Sequence, residues 1–452
     1  MKNATITMRE ARHHVLPSAT YDMIVGPRSS GHRITVVDPN YKAEGPNVHE
    51  VNSDGRYGEA MAAALRSIMR SRDGGLGLHI SYNRSYQAIQ HGQLCMAVFD
   101  SIGKRAADGL GAPFSSDYAF IGLSQVNGRI RYREIPTNVW YYSDFEISHT
   151  PETIKGDLKR LRNLMAGGFD EMRTAFENHW IRWPTGNWQT YDASVPGLLT
   201  KSRFYSECIG RVDGVSAPVH MIAKAETADA LRSEIARFAG ENGEAIADGG
   251  YIVVKPDVGC TRAMGVRILR ADRHGRVSGD DIDEVASFLF STDRLYSKFA
   301  PPTQWLIELG ADRDVVRFFD SGTSYDMYYD LVPMVVAGEV VSTCAKVRSV
   351  ESGTPIGLMP GQNPSEIAFL DVESAADVAK LRSKYARLYG IPELDFAIDE
   401  ARGADALRSH LRDSGILDKA KAAAVAMHAR SAEMLEESLP ELHGSLAGAR
   451  RR

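Results

Sequence analysis

The sequence predicts a mixed α/β (α+β) protein of more than one domain rather than a purely doubly wound sheet. Three observations carry this. Beyond about position 200, helix-like and strand-like runs alternate along the chain. Short turns such as Ala337-Gly338 join some of the strand-like runs, which favours antiparallel pairing in part of the sheet. Finally, 452 residues of which 43% are hydrophobic give two or three domains at ~100–200 residues each, with cores large enough to need no disulfide or metal staple.

Taken in order, the first third mixes β-branched runs, Ile34 to Val37 and Ala97 to Phe99, with a helix over Gly58 to Arg72 whose Met61, Leu65, Ile68 and Met69 share one face. A second helix opens at Pro151, an N1 proline after Thr150. Its apolar series Ile154, Leu158, Leu161, Met165, Phe169, Met172, Phe176, Trp180 recurs every three or four residues. The turn-rich, aromatic stretch Arg182 to Pro196 reads as a domain junction. Helices are then expected over Lys201 to Gly210, Thr227 to Phe238, Asp281 to Phe290 and Ser374 to Tyr389. Strands are expected over Tyr251 to Lys255, Gly265 to Leu269, Gln304 to Glu308, Val315 to Phe319, Leu331 to Val336, Glu339 to Thr343 and Leu394 to Ile398. After Gly403 the segment ADALRSHLRDSGILD and the alanine-rich stretch from Lys419 onward are helical in character, with Ala424, Met427, Met434 and Leu435 on one side.

Composition excludes several classes of function. Fifty-three basic against 58 acidic side chains supply no overall basic field, so neither a nucleic-acid nor an acidic-membrane partner is expected. No uncharged apolar run reaches the ~18 residues of a membrane span, and the opening residues lack a signal-peptide core. Cys95, Cys208, Cys260 and Cys344 are scattered, with no CxxC pair, which argues against a disulfide framework or structural zinc and for reduced thiols in a cytoplasmic protein. Homo-oligomerisation is left open.

The stretch YIVVKPDVGCTRAMGV, Tyr251 to Val266, carries the clearest chemistry. An apolar strand ends in Lys255-Pro256, a flexible segment with Gly259 follows, and a second strand resumes after Gly265. Glycines let a loop close over phosphates with backbone N–H groups turned inward, and a lysine at a strand end can meet their charge. Upstream, Lys201 opens a helix and Val215-Ser216-Ala217-Pro218 leads into a strand; downstream, QWLIELGADRDVVRFF ends an apolar strand on Glu308, and a hairpin reaches Lys346 and Arg348.

This order of parts resembles the ATP-grasp superfamily, which includes carboxylate-amine ligases, over roughly residues 196–403. The resemblance implies two α+β lobes, about 196–300 and 301–403, clamping a nucleotide, with a possible substrate domain over 1–190 and a helical extension over 404–452. It implies ATP and Mg2+ as cofactors, and small-molecule carboxylate and amine substrates, an amino acid or peptide among them. Lys201 and Lys255 would contact phosphates, and Gly259 to Gly265 would form the loop above them. Glu308 and Leu309 would meet the adenine edge, with Asp312 or Asp314 near the ribose. Arg317, Lys346 and Arg348 would face the transferred phosphoryl group, where positioned cations supply most of the catalysis. In YGIPELDFAID the resemblance makes Asp395 a metal ligand, hard oxygen donors being what magnesium requires. The superfamily's following Glu-x-Asn pair is absent, leaving Asp399, Glu400 or Asp405 as substitutes, or an altered metal site.

For each basic residue the structural reading is a salt bridge or solvated charge. The first functional expectation is an ATP-dependent ligase acting through an acyl phosphate. The others are a nucleotide-binding protein without ligase activity, and an unrelated metal-dependent α/β transferase. VGPRSSGHR, Val25 to Arg33, lacks the Gly-Lys-Ser/Thr ending of a P-loop and reads as a hairpin turn. His13-His14 reads as an exposed pair, and the aromatic cluster Trp180, Trp183, Trp188 and Tyr191 as junction packing.

Overall fold

In the computed structural model, the described residues are 16–27, 32–40, 46–70, 77–82, 92–112, 114–118, 123–126, 129–134, 143–147, 180–184, 200–247, 250–257, 266–290, 304–353, 368–373, 378–390 and 403–449. Mixed α/β architecture is confirmed. The N-terminal half contributes strands β1 (Ser18–Gly26) and β2 (Arg33–Asn40), helices α1 (Pro46–Asn52) and α2 (Arg56–Arg70), strand β3 (Gly77–Tyr82), helix α3 (Gly92–Asp108), and strands β4 (Phe114–Tyr118) through β8 (Trp180–Pro184). After a helical stretch α4 beginning at Lys201 come β9 (Val215–Ser216), β10 (His220–Lys224), α5 (Ala228–Glu241), β11 (Tyr251–Pro256), β12 (Arg267–Arg270) and α6 (Gly279–Phe290). The remainder is β13 (Gln304–Leu309), β14 (Val315–Asp320), β15 (Thr323–Val336), β16 (Glu339–Glu351), β17 (Ala368–Asp371), α7 (Val378–Tyr389), α8 (Ala404–Ser414) and α9 (Ile416–Ala449).

Two sheets position the site. The larger is seven-stranded, ordered β17-β16-β15-β1-β2-β9, with β14 also paired to β15. The smaller is four-stranded, ordered β10-β13-β11-β12. The long strand β15 explains how the larger sheet is assembled. Its first half pairs with β14 and its second half with β1, while β16 follows it along its whole length. Two tight turns set these registers: Ser321-Gly322 and Ala337-Gly338 both have positive φ at each central residue, the backbone of a type I′ hairpin turn. The N-terminal hairpin therefore shares a sheet with strands some 300 residues later, and this pairing spans the expected boundaries at about 190 and 300.

Alternation along β15 sorts the faces. Met327, Tyr329 and Leu331 point into a core shared with Tyr21, Met23, Val25, α8 and α9, where Leu407, Leu411, Met427 and Met434 are buried. A second core joins α1, α2 and α3 to the far ends of β15 and β16 through Met334, Val336 and Cys344. The third packs α5 and α6 against one face of the smaller sheet around Trp305, whose Nε1 donates to the Ala225 carbonyl at 3.1 Å.

The helix expected near Gly58 is present with Met61, Leu65, Ile68 and Met69 buried. Ala97 to Phe99 is a correction. It is not a strand but the middle of α3, because the short apolar run belongs to a longer helical period of Cys95, Val98, Phe99, Ile102 and Ala106. Trp180 likewise does not end a helix. It begins β8, paired in parallel with β3, and Arg182 to Pro184 belong to that strand. The helix over 151–179 and the strand Leu394 to Ile398 lie outside the described residues. β15 and β16 are much longer than expected, since the sheet extends pairing through polar positions that break the apolar runs. Among the described residues, no helix is long and apolar enough to cross a membrane.

His49 on α1 is buried against β16, its Nδ1 3.1 Å from Ser342 Oγ. Burial first, and then the Lys346 charge, push its pKa down from 6.5 to about 3. A folded-state pKa below the unfolded one means stability is fully present above pH 6.5 and is lost as pH falls towards 3. Unfolding free energies from urea titrations should drop across that window by up to about 1.4 kcal/mol per pH unit from this group. In His49→Asn that part of the profile should flatten; an unchanged slope would show that His49 is not held neutral.

Candidate functional site at the charged face between the two sheets

The face of the larger sheet opposite its α8–α9 core is polar. Asp326, Tyr328 and Asp330 alternate with the buried apolar positions of β15 and share one face, and register puts Arg348 opposite Tyr328 and Lys346 opposite Asp330. Arg317 on β14 lies opposite Asp326. Asp22 on β1 stands opposite Asp38 on β2, so these two carboxylates also share a face. Lys346 Nζ bridges to Asp22 at 2.9 and 3.0 Å, spanning β15. Arg317 is exposed and pairs with Asp326 at 2.8 Å; with Ser352 also bonded to it, Asp326 is held below the usual carboxylate pKa by the guanidinium.

The smaller sheet is linked to β2 of the larger one through Lys255. Ile252, Val254, Trp305 and Ile307 turn toward α5 and α6, so Lys255 and Glu308 must turn the other way. Lys255 Nζ donates to the Val37 carbonyl (3.0 Å), to Tyr205 Oη (3.1 Å) and to Glu308 Oε1 (2.9 Å). That uses all three ammonium protons. Tyr205 Oη lies 2.8 Å from Glu308 Oε1 and 2.7 Å from Val37 O, acceptors that share its single proton. Burial first and Glu308's charge second push the phenol pKa well up, so it remains a donor.

Why α4 places its side chains here is local. Thr200 Oγ1 caps the helix by accepting from the Arg203 amide at 3.1 Å, and Lys201, Tyr205 and Cys208 fall on one face at i, i+4, i+7. The chain passes from α geometry at Lys201–Arg203 into a π segment at Phe204–Cys208, a form found mostly as single turns at functional sites. Asp257, fully buried, anchors the helix start to β11: it accepts from the Ser202 amide and hydroxyl, both at 2.7 Å, and its carbonyl accepts from the Lys201 amide at 3.1 Å. Lys201 Nζ forms a short ion pair with Asp38 Oδ1.

Lys201, Lys255 and Glu308 are thus brought together beside Val37 and Asp38 of β2, while Lys346, Arg348 and Arg317 lie on β16 and β14 of the larger sheet. Leu309 and its successor are hydrogen-bonded through their backbone: Leu309 N to Val219 O at 2.8 Å and Gly310 N to Tyr251 O at 2.7 Å. Asp314 is drawn elsewhere, to two histidines described below, and Asp312 contributes a backbone carbonyl close against Gly26. Gly259, Gly265, Asp395, Asp399 and Glu400 lie outside the described residues; Asp405 pairs with Arg408 on α8.

Sequence reasoning did not select Asp22, Asp38, Tyr205 and Asp257. Tyr205 is legible as the i+4 neighbour of Lys201, and Asp257 as the acid directly after Lys255-Pro256. Asp22 and Asp38 carry no local signal, because their lysines are 324 and 163 residues away in the chain.

No family model and no curated protein matches this sequence. Among solved structures, a protein provisionally assigned as a gamma-glutamylcysteine synthetase from Methylobacillus flagellatus KT aligns with a TM-score of 0.46 and 12% identity, covering 95% of this chain and 92% of that one. At that level the likeness assigns neither a fold nor an activity to this chain.

Lys255 and Glu308, both nearly inaccessible, hold each other's charge in low dielectric. Lys255→Met should therefore cost about 3–5 kcal/mol, because Glu308 is left buried and unpaired, and adding Glu308→Leu should recover much of that loss. Urea unfolding of the two variants checks this; equal midpoints for wild type and Lys255→Met would contradict it.

Proposed function

We propose that the chain is an ATP-dependent ligase that joins a carboxylate to an amine through an acyl phosphate. The observation behind this reading is that Lys201 and Lys255, both buried and paired with carboxylates, reach β2 at Asp38 and Val37, and Asp38 stands opposite Asp22, the partner of Lys346. Cations held by carboxylates on separate elements suit a polyanion that would take the carboxylates' place.

In this reading the triphosphate takes over the ammonium protons that Asp38 and Glu308 now accept, so each lysine exchanges one anionic partner for another and stays satisfied. Asp38, so released, and Asp22 opposite it on the same face are hard oxygen donors of the kind magnesium prefers, an ion that would neutralise charge between the phosphates. The substrate carboxylate oxygen bonds to the γ-phosphorus as the bond to the bridging oxygen breaks and ADP leaves. The amine nitrogen, deprotonated, then bonds to the acyl carbon and inorganic phosphate leaves. In this reading Arg317, which is exposed, would meet charge on the transferred group. Positioning supplies the acceleration, since both nucleophiles are adequate once aligned and desolvated.

A second reading is a nucleotide-binding protein without ligase activity. It is favoured by the internal satisfaction of Lys255, whose three protons all have protein acceptors.

ATP with magnesium should raise the melting temperature, and pooled amino acids and small acids should then elicit ADP release. No nucleotide-dependent rise would end both readings, whereas a rise without ADP selects the second. Arg317→Ala should leave the urea midpoint nearly unchanged, its ion pair being exposed, yet lower ADP release by about 100-fold or more. Unaltered turnover would remove Arg317 from the catalytic set.

A further inference from the structure

Behind the β1–β2 hairpin, away from the lysines, three side chains from distant parts of the chain converge. His32 immediately precedes β2, Asp314 immediately precedes β14, and His410 lies on α8. Nε2 of His410 is 2.6 Å and Nε2 of His32 is 3.2 Å from the same carboxylate oxygen, Asp314 Oδ2. All three donor atoms lie within 4.8 Å of one another. Each residue is partly buried, the side chains being 25%, 15% and 29% exposed for His32, Asp314 and His410.

We propose that His32, Asp314 and His410 form a binding site for a divalent transition-metal ion of zinc type, distinct from any magnesium that accompanies nucleotide. Two imidazole nitrogens and one carboxylate oxygen are a borderline-soft donor set, matched to Zn2+, Co2+ or Ni2+ and poorly matched to Mg2+, which prefers oxygen. Donors about 2.0–2.1 Å from a tetrahedral zinc stand roughly 3.3 Å apart, so His32 and Asp314 are already at ligand spacing and His410 needs to withdraw by only about 0.7 Å. Partial exposure leaves room for water or a further ligand at the open coordination position.

The surroundings are those of a ligand-orienting shell. Tyr329, fully buried on β15, donates its hydroxyl to Asp314 Oδ2 at 3.0 Å. The Val315 amide donates to Asp314 Oδ1 at 3.0 Å, and the Asp314 amide donates to the Val25 carbonyl at 2.6 Å. Such bonds fix the orientation of a ligating carboxylate. The adjacent cation does not compete, because Arg313 spends its guanidinium on Asp330, at 3.0 and 3.3 Å, and on the Tyr251 hydroxyl at 3.1 Å. Among the described residues, no lysine or arginine pairs with Asp314, whose charge is met by imidazoles and a phenol. A metal here would tie the N-terminal hairpin to α8, elements separated by most of the chain.

The test is zinc titration of the full-length, chelator-stripped protein by calorimetry, with cobalt absorption as a second readout. Wild type should bind one Zn2+ in competition with Co2+, whose bound form should show visible d–d bands of low coordination number, and Mg2+ should not displace it. His32→Ala and His410→Gln should each weaken zinc at least 100-fold while leaving the far-ultraviolet circular dichroism unchanged, and Tyr329→Phe should weaken it about 10-fold through the lost outer bond. His13→Ala/His14→Ala should leave the affinity unchanged. Absence of saturable zinc binding, or binding that survives loss of His32 and His410 but disappears with His13 and His14, overturns the proposal. Should a histidine variant misfold, the wild-type cobalt spectrum decides: an octahedral, oxygen-ligated spectrum refutes the site. Neither ATP binding nor turnover enters these measurements, so the result is independent of the ligase reading.

Discussion

The buried ion pair between Lys255 and Glu308 is the constraint around which the two sheets are organised. A charge removed from water costs several kcal/mol unless its partners are in place, and here the partners come from different elements. Glu308 is on the neighbouring strand of the same sheet, Tyr205 is on α4, and the Val37 carbonyl belongs to β2 of the larger sheet. Satisfying one ammonium group therefore fixes the smaller sheet, the helix and the larger sheet relative to one another. Asp257 repeats the device at the helix start, where a fully buried carboxylate is met by the amide and hydroxyl of Ser202.

Strand alternation explains why one face of the larger sheet carries so many charges. The larger sheet is covered by α8 and α9 on its apolar side, and strand alternation leaves Asp22, Asp38, Asp326, Asp330, Lys346 and Arg348 on the other. Asp22 with Lys346 and Asp326 with Arg317 are paired across strands, while Asp38 and Asp330 take partners from outside the strands, Lys201 and Arg313. Such pairs contribute little net stability against apolar replacements, but breaking one is costly, which makes them registers for the sheet as well as a reservoir of groups able to change partners. That dual character is what allows a structural ion-pair network to be read also as a polyanion cleft.

Legibility in the sequence followed the range of the interactions. Helices α2, α5 and α6 and the strands β11 and β13 were visible because their apolar periods are complete within a short window. The Ala337-Gly338 turn was visible because a two-residue hairpin requires positive φ and glycine supplies it cheaply. Ala97 to Phe99 misled, since three apolar residues fit either period until the wider pattern through Ile102 and Ala106 is weighed. Lys201, Lys255 and Glu308 were each found from a position at an element's end. Their acidic and phenolic partners were not, apart from the i+4 relation of Tyr205.

By itself the sequence determined the mixed α/β class, the apolar faces of the principal helices, and a set of cations spaced along the second half of the chain. Tertiary structure alone decided that the N-terminal hairpin completes a sheet made mostly of residues beyond 315, that Asp22 and Asp38 answer Lys346 and Lys201, and that His32 meets His410 at Asp314. The reason is physical: periodicity and turn chemistry are local and leave a trace in neighbouring residues, whereas a charge pair or a converging donor set depends only on where distant strands come to lie.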